Sequence, residues 1–439
     1  MYPLLNQLMG SLNPKFGMLI LDVKGNFFKQ VLEYAKKYNR ISDVIEIGLD
    51  SLVRYNPLDK PNLNPSVLAN RLKTILELFS PNNSESYWLD KAQDIIAECI
   101  KLCRLYNNGY VTFSEIHNLI NYDDYYLNKI DSLRKLFLSG KLPQNKIYDL
   151  YSSLSFFENE FSSLDERTKS ILKSEISRIT NTFISDYNIY NVFCPKKEDV
   201  NFKSFNEVIN NGKIVVLNMN IAKYKSLSKI IAAYLKLDFQ SEILSQLAIS
   251  KKEINPTVFM CDEYHEYVTV SDSDFFSQSR ESKCINIVST QSYSSILNTI
   301  QNESSTKVII QNLINKLWLR TDDPYTIENA QKLIGREDKT KISKNISESA
   351  SETSYNYFTN SLSSKKSNLS ETISTQIQTD YVYDTNFFTQ HLETFTCLGF
   401  ISNGNKILPP CRINLIPYFK LQEKNSFKTN NNKNNLKII

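Results

Sequence analysis

The sequence is poor in glycine and histidine and carries little net charge. Of its 439 residues, 10 are glycine and three are histidine, and the formal net charge is +4. A charge this small gives no general argument for nucleic-acid binding, although a local basic surface is compatible with it. The length is sufficient for two or three domains with a sizeable core.

Long apolar runs and CxxC pairs are also missing. No apolar run reaches the roughly 18 residues that cross a membrane, and no signal peptide follows Met1, so we predict no transmembrane segment in this chain. The seven cysteines lack metal-ligand spacing. Cys99 and Cys103 would share one face of a helix, and we interpret them as core residues of a protein in a reducing compartment.

Short apolar runs alternate with helical patterns in two parts of the chain. We predict strands at 16–22, 43–49, 212–220, 256–263, 284–291 and 316–321, and helices at about 26–40, 223–247, 272–283 and 324–335. Strands that alternate with helices at this spacing predict an α/β fold with a mostly parallel, doubly wound sheet.

Residues 65–195 differ because their apolar periodicity is helical throughout. Asn64 is a plausible N-cap, and Pro65 suits the first helical position. We therefore divide the chain into a first part of the α/β domain (1–64), an all-α insert (65–195) and a second part of the α/β domain (196–420).

Three segments near the carboxyl end have their own signals. Residues 338–377 are rich in Ser, Thr, Asn and Lys, which favours a flexible loop, with a polar hairpin as the alternative. Residues 395–419 are typical of two strands that turn at Asn403 and Gly404. The polar tail at 421–439 is predicted to be disordered.

Two adjacent acids, Asp262 and Glu263, follow the predicted strand at 256–263. An Asp at a strand end can hold a water molecule bound to Mg²⁺, and the next Glu can accept a proton from an attacking water. The alternative is an acidic helix start that has no chemical role. We interpret the neighbouring His265 and Glu266 as surface or packing residues rather than catalytic ones.

Other polar residues lie at strand or helix ends. Thr290 and Gln291 follow the next strand, where Gln291 could orient water or contact a phosphate; an ordinary helix cap is the alternative. Arg280 could neutralise a transferred phosphoryl group across a subunit interface, or it could be a solvated cation at a helix end. Asp22 and Lys24 end the first strand, and Lys24 could reach a phosphate.

A phosphate-binding loop of the form GxxxxGK[ST] does not occur in the sequence. Glycines are needed there because only they let backbone N–H groups wrap the phosphates. The nearest string, "NNGK" at 210–213, has a single glycine and enters a strand instead of leaving one. The acidic pair Asp262 and Glu263 is therefore present without the expected phosphate-binding loop.

The motif order resembles that of the conjugative coupling proteins of type IV secretion systems, the TraG/TraD-like family. The segments that carry the resemblance are, in chain order, "MYPLLNQL", "GMLILDVKGN", "RYNPLD", "YWLDKAQDII", "GKIVVLNMN", "FMCDEYHEY", "SQSRES", "NIVSTQS", "NKLWLRTDD" and "AQKLIG". They span about 1–340, and 380–419 is similar to the closing strands of that family.

The resemblance implies a RecA-like P-loop NTPase core that is interrupted by an all-α domain. It implies a hexameric ATPase that uses ATP and Mg²⁺ at the inner face of the cell membrane. There it would hand relaxase-bound single-stranded DNA and relaxosome proteins to a secretion channel. By this match Asp262 and Glu263 form the Walker B pair, Gln291 is a sensor beside Thr290, and Arg280 is a candidate arginine finger. Asp22 and Lys24 would belong to the motif that follows the P-loop helix, and with Thr290 they are the candidate cofactor-binding residues.

The sequence departs from the family pattern in two ways, because the transmembrane helices and the P-loop are both missing. We therefore expect that Met1 falls inside the P-loop helix, that the chain is truncated, and that ATP and Mg²⁺ bind only if the upstream loop is supplied. Two alternatives are a cytosolic translocase like FtsK or HerA from a phage or mobile element, and a non-catalytic substrate-binding module.

Overall fold

The chain folds into two units, Met1–Leu313 and Ile314–Ile439. The computed structural model describes residues 1–78, 86–140, 143–219, 224, 226–248, 254–348, 354–363, 369–417 and 419. The tail at 421–439, which the sequence predicts to be disordered, lies outside these described residues. Within them, every helix is too short or too polar to span a bilayer.

A sheet of five parallel strands forms the centre of the first unit. Its strands are β1 (Gly17–Leu21), β2 (Val44–Ile47), β3 (Ile214–Leu217), β4 (Thr257–Cys261) and β5 (Cys284–Val288). They lie in the order β2-β3-β1-β4-β5. Every residue of β1, β3 and β4 is buried, as expected for parallel strands covered on both faces. The α/β prediction is confirmed.

Helices make up the rest of the regular structure in this unit. They are α1 (Tyr2–Met9), α2 (Phe27–Lys37), α3 (Pro65–Glu77), α4 (Ser86–Tyr106), α5 (Phe113–Asn121), α6 (Asp123–Leu138), α7 (Gln144–Ser155), α8 (Glu166–Ile184), α9 (Tyr187–Phe193), α10 (Phe205–Asn211), α11 (Ser226–Ser245), α12 (Asp272–Gln278), α13 (Tyr293–Ile300) and α14 (Glu303–Asn312). The segment from α3 to α9 has no β-strand among its described residues, as its periodicity predicts.

Local signals within the helical segment also match the structure. The Asn64 side chain accepts a hydrogen bond from the backbone N–H of Ser66, and Pro65 occupies the first turn of α3. Cys99 and Cys103 on α4 are both buried in the core, and burial raises the pKa of each thiol. They remain neutral and pack as apolar side chains.

The second unit is built mainly from antiparallel strands. It contains β6 (Lys316–Trp318), α15 (Pro324–Ile334), β7 (Arg336–Glu348), β8 (Ser354–Asn356), β9 (Ser361–Ser363), β10 (Leu369–Tyr381), β11 (Thr396–Phe400) and β12 (Cys411–Asn414). Strand β6 pairs antiparallel with β11, so its predicted place in the parallel sheet is wrong. Strands β11 and β12 are paired as predicted, and Gly404 has the positive φ of the turn between them.

Within the polar segment 338–377, residues 338–348 and 369–377 form paired strands, whereas the composition of the segment favoured a flexible loop. Strands β7 and β10 pair antiparallel from Arg336 opposite Tyr381 to Glu348 opposite Leu369. Alternation of Ile with Ser, Thr, Gln and Lys was the signal for this pairing, and the richness in polar residues concealed it. The antiparallel pairing agrees with the polar hairpin that was the alternative.

A buried carboxylate joins the helical segment to the α/β core. Asp238 of α11 is fully buried, and it contacts Lys60 Nζ at 3.0 Å and Arg71 Nη1 at 2.7 Å. The hydroxyl of Tyr55 donates to the same carboxylate. Burial alone would raise the pKa of Asp238, but the two cations outweigh it and lower that pKa below its usual 3.8. The ionised form is therefore part of the folded structure.

Replacing Asp238 with Asn should lower the free energy of unfolding by about 3–5 kcal/mol at pH 7, because Arg71 would stay buried without its counter-ion and Lys60 would keep only Glu242 at 3.8 Å. The depressed pKa means that this stabilisation is present above pH 3.8 and is lost as the pH falls through the folded-state pKa. Urea unfolding at several pH values should therefore show the difference from wild type narrowing below pH 4. Asp90→Asn, which breaks an exposed pair with Lys73, is the control and should cost about 1 kcal/mol or less.

Candidate functional site

Three parallel strands end together at one edge of the sheet. The register aligns Leu21 of β1 with Cys261 of β4, and Cys261 with Val288 of β5. The backbone N–H of Asp262 donates to the carbonyl of Leu21 at 3.0 Å, and that of Ser289 donates to the carbonyl of Cys261 at 3.0 Å. The hydrogen-bond ladder thus continues one residue past β4 and β5, and it fixes the positions of Asp262 and Ser289.

Asp262 is held from the side of β5. The hydroxyl of Ser289 donates a hydrogen bond to Asp262 Oδ1. Sequence reasoning singled out Thr290 and Gln291 and missed Ser289. The signal was present, because Ser289 is the first polar residue after β5, just as Asp262 is the first after β4.

Glu263 occupies a turn with an uncommon backbone conformation. Its φ and ψ are both 48°, in the left-handed region that is disfavoured for residues with a Cβ. The following residue, Tyr264, is anchored at both ends. Its backbone N–H donates to the carbonyl of Ser289 at 2.7 Å, and its hydroxyl donates to Asp272 Oδ2 at 2.6 Å. These bonds hold the turn, and with it Glu263, in place.

An ion pair with no solvent exposure supports this turn. Lys236 Nζ lies 2.6 Å from Asp272 Oδ2, and it also donates to the carbonyl of Tyr267 and to the hydroxyl of Thr269. Burial lowers the pKa of Lys236, and Asp272 opposes that effect. Sequence reasoning missed this pair. The sequence signal for it was Lys236, a charged residue within the apolar helical stretch "IIAAYLKLDF".

The carboxylate of Glu263 has two basic side chains nearby, both beyond hydrogen-bond distance. Lys24 Nζ lies 4.0 Å from Glu263 Oε1, and His265 Nδ1 lies 3.7 Å from Glu263 Oε2. His265 Nδ1 is also 3.2 Å from the hydroxyl of Thr290, and its Nε2 is 3.8 Å from Glu266. The His265 side chain therefore connects the acidic turn to the end of β5, although it was interpreted as a surface or packing residue.

Asp22 orders the loop that carries Lys24. Its carboxylate accepts hydrogen bonds from the backbone N–H groups of Lys24 at 2.9 Å, Asn26 at 2.6 Å and Phe27 at 3.1 Å. Both oxygens are thus used to cap the start of α2. Direct cofactor binding by Asp22, as expected from its sequence position, is not what this geometry favours.

Gln291 and Arg280 occupy opposite ends of the sheet. Gln291 is exposed and lies just past Thr290, at the edge that carries Asp262. Arg280 is exposed and comes four residues before β5 begins, at the amino end of the strands. The structure thus brings Lys24, Asp262, Glu263, Thr290 and Gln291 to one edge and leaves Arg280 away from it within one chain.

The edge offers oxygen ligands without forming a complete metal site. Mg²⁺ is commonly held by one or two carboxylates together with waters and substrate phosphates. Asp262 fits this role, and Glu263 lies beside it with only long ion pairs. Over the described residues, no group of three or more His, Cys, Asp or Glu side chains could hold a metal ion. A cation here would need ligands beyond these side chains.

Comparisons with known proteins identify a related family and related folds. Residues 171–379 match the family model of the type IV secretion-system coupling protein DNA-binding domain. No curated protein sequence matches the chain.

The fold resembles solved structures of TrwB, described as a plasmid or bacterial conjugative coupling protein. The form with ADP and Mg²⁺ aligns with TM-score 0.60 and 13% identity, covering 94% of this chain and 82% of that one. The form with the GTP analogue GDPNP aligns with TM-score 0.60 and 12% identity, covering 94% of this chain and 82% of that one. Unbound TrwBdeltaN70 aligns with TM-score 0.58 and 11% identity, covering 92% of this chain and 79% of that one. The RecA-like fold and the resemblance to coupling proteins are confirmed.

The contact between His265 and Glu263 can be checked by NMR without any activity. Glu263→Gln should shift the ring Hε1 resonance of His265, because it removes a charge 3.7 Å from that ring. The resonances of His117, which contacts Thr180 on a different helix, and His391 should stay in place. Glu281→Gln, at an exposed position, is the control and should move none of the three. An unmoved His265 would mean that the cluster does not form in solution.

Proposed function

We propose that this chain, which carries the coupling-protein DNA-binding domain of type IV secretion systems in residues 171–379, is the ATP-hydrolysing motor of such a protein. The observation that carries the proposal is the edge where β1, β4 and β5 end. There Asp262, Glu263 and Lys24 lie together, with Thr290 and Gln291 just beyond β5. In open α/β sheets, ligands bind at the carboxyl ends of the strands.

Each residue at the edge has a role that its position supports. Asp262, oriented by Ser289, would hold Mg²⁺ through a water molecule. Glu263 would accept the proton of the attacking water, because its basic neighbours Lys24 at 4.0 Å and His265 at 3.7 Å leave the carboxylate available. Lys24 would contact phosphate oxygens, and Gln291 would orient the water or sense the γ-phosphate. Bound ATP and Mg²⁺ supply the triphosphate and the cation.

Binding of the phosphates requires a phosphate-binding loop, and the 439 residues contain no GxxxxGK[ST] sequence. Within the described residues, no strand pairs with the outer edge of β5. Its Ile285 is 39% exposed, although strands of parallel sheets are normally buried on both faces. We expect that a strand carrying GxxxxGK[ST] pairs with this edge. Without it, the chain would bind and hydrolyse ATP only weakly.

The partners follow from the same proposal. The transported substrate would be single-stranded DNA bound to a relaxase, received with relaxosome proteins and passed to a secretion channel at the inner face of the cell membrane. The working form would be a homo-hexamer. The match of residues 171–379 to a DNA-binding domain of coupling proteins supports a DNA partner. The relaxase, the relaxosome proteins, the secretion channel and the hexamer are inferred from the resemblance to the coupling-protein family.

Glu263→Gln should separate ATP binding from hydrolysis. The test joins the chain to a phosphate-loop strand, because the chain alone should show no appreciable turnover. In the joined protein the substitution should leave MgATP affinity within about threefold and slow hydrolysis by about 10²–10⁴-fold, the usual contribution of a general base. Glu281→Gln is the matched control. Hydrolysis at the wild-type rate in the Glu263 variant would remove that residue from the proposed role.

Arg280→Ala tests action across a subunit interface. Because Arg280 lies at the opposite end of the sheet from Glu263, it can assist hydrolysis only at a neighbour's site. In the same joined protein, Arg280→Ala and Glu263→Gln should each be inactive alone. Mixing them should recover part of the turnover, since some interfaces then combine an intact arginine with an intact glutamate. If no mixing ratio recovers activity, Arg280 is a solvated cation.

A further inference from the structure

Strands β7 and β10 of the second unit form a ribbon with two unlike faces. In an antiparallel pair, residues directly opposite each other point to the same side. One face carries Glu337, Lys339, Lys341, Ser343 and Asn345 with their partners on β10, and all of these residues are polar. The other face carries the even-numbered residues of β7 and their odd-numbered partners on β10. Its six rows from Arg336 opposite Tyr381 to Ile346 opposite Glu371 are here called the stripe face, and Glu348 opposite Leu369 follows them.

Four isoleucines run diagonally along the stripe face. They are Ile377, Ile342, Ile373 and Ile346, which alternate between the two strands in successive rows. Each is between 56% and 72% exposed. A two-stranded ribbon is at best marginally stable in water, and its apolar face needs a cover.

The charges on the stripe face follow a definite order along the ribbon. The first row, Arg336 opposite Tyr381, is positive, and the second, Asp338 opposite Thr379, is negative. Two neutral rows follow, each with one isoleucine and one threonine. The fifth row is positive through Lys344, and the sixth is negative through Glu371.

This order complements itself when a second ribbon is reversed. If two stripe faces meet about a two-fold axis between the third and fourth rows, each positive row faces a negative row of the other copy. Asp338 and Lys344 are both on β7, and they then lie opposite each other twice. Without the reversal, every charged row would face a row of its own sign. A two-fold contact is self-complementary in this way.

The charge balance disfavours nucleic acid as the cover. The six rows of the stripe face carry two positive and two negative charges, and the row after them adds the acidic Glu348, so the ribbon offers no excess of cations for a phosphate backbone. Its six rows span about 34 Å, and the ribbon is about 10 Å wide, which gives on the order of 350 Å² per copy. A stable interface buries about 800 Å² per partner. The association should therefore be weak and reversible.

We propose that the stripe face of the β7–β10 ribbon is a contact surface for the same ribbon of a second copy of this chain, packed face to face in reverse orientation. The contact buries the four isoleucines and pairs Asp338 of each copy with Lys344 of the other. It is independent of the nucleotide site, and it joins two chains rather than closing a ring.

Charge exchange tests the reversed orientation directly. Sedimentation of the full chain between about 5 and 200 µM should show a concentration-dependent dimer. Asp338→Lys alone places like charges opposite each other twice, as does Lys344→Asp alone, and each should weaken dimerisation at least tenfold. An equimolar mixture of the two variants restores opposite charges at both contacts and should recover dimers to within about threefold of wild type.

A second pair of variants tests the isoleucine stripe. Ile342→Lys should weaken the dimer at least tenfold, whereas Ser343→Lys, one residue away on the polar face, should leave it unchanged. Circular dichroism should be the same for all variants. A chain that is monomeric at 200 µM, a mixture that recovers nothing, or equal effects of Ile342→Lys and Ser343→Lys would overturn the proposal. Loss of oligothymidine binding by Lys344→Asp with unchanged self-association would instead assign the face to nucleic acid.

Discussion

The candidate site depends on one fully buried ion pair, Lys236 with Asp272. Taking two charges out of water is costly, and the cost is offset only when geometry and additional hydrogen bonds are good. Both conditions hold here, because Asp272 also accepts from Tyr264 and Lys236 also donates to Tyr267 and Thr269. The pair thereby fixes the loop that follows β4. Without Asp272, the turn at Glu263 would lose the anchor of the Tyr264 hydroxyl and keep only backbone hydrogen bonds such as that from Tyr264 to Ser289.

The parallel register adds the second constraint. Because β1, β4 and β5 are aligned residue by residue, the first polar residues after them meet at one edge. Asp22 turns its carboxylate back to cap α2, while Asp262 and Glu263 face the space beyond the sheet with few partners. Similar residues at equivalent strand ends therefore differ in role, and their hydrogen bonds decide which acid remains available for chemistry.

A second buried carboxylate, Asp238 of α11, connects the helical segment to the α/β core. It binds Lys60 and Arg71, which flank the start of the helical segment, to α11. Helix α11 also carries Lys236, so the two ionic clusters share one helix, two residues apart. The helical segment and the loop beside the site are thus attached to the same rigid element.

The sequence determined the elements of this protein and the ends of its strands. Apolar runs located β1 to β5, the Asn64–Pro65 signal located the start of α3, and the acids after β4 marked the edge. These features depend on neighbours a few residues away, so local periodicity and turn chemistry suffice to find them. The tertiary structure alone decided the pairing of β6 with β11, the position of His265 between Glu263 and Thr290, and the separation of Arg280 from the edge. It also decided the β7–β10 register, which gathers four isoleucines on one face. Each of these features depends on how segments far apart in the chain are placed relative to one another. That placement follows from burial and long-range register, which no local pattern encodes.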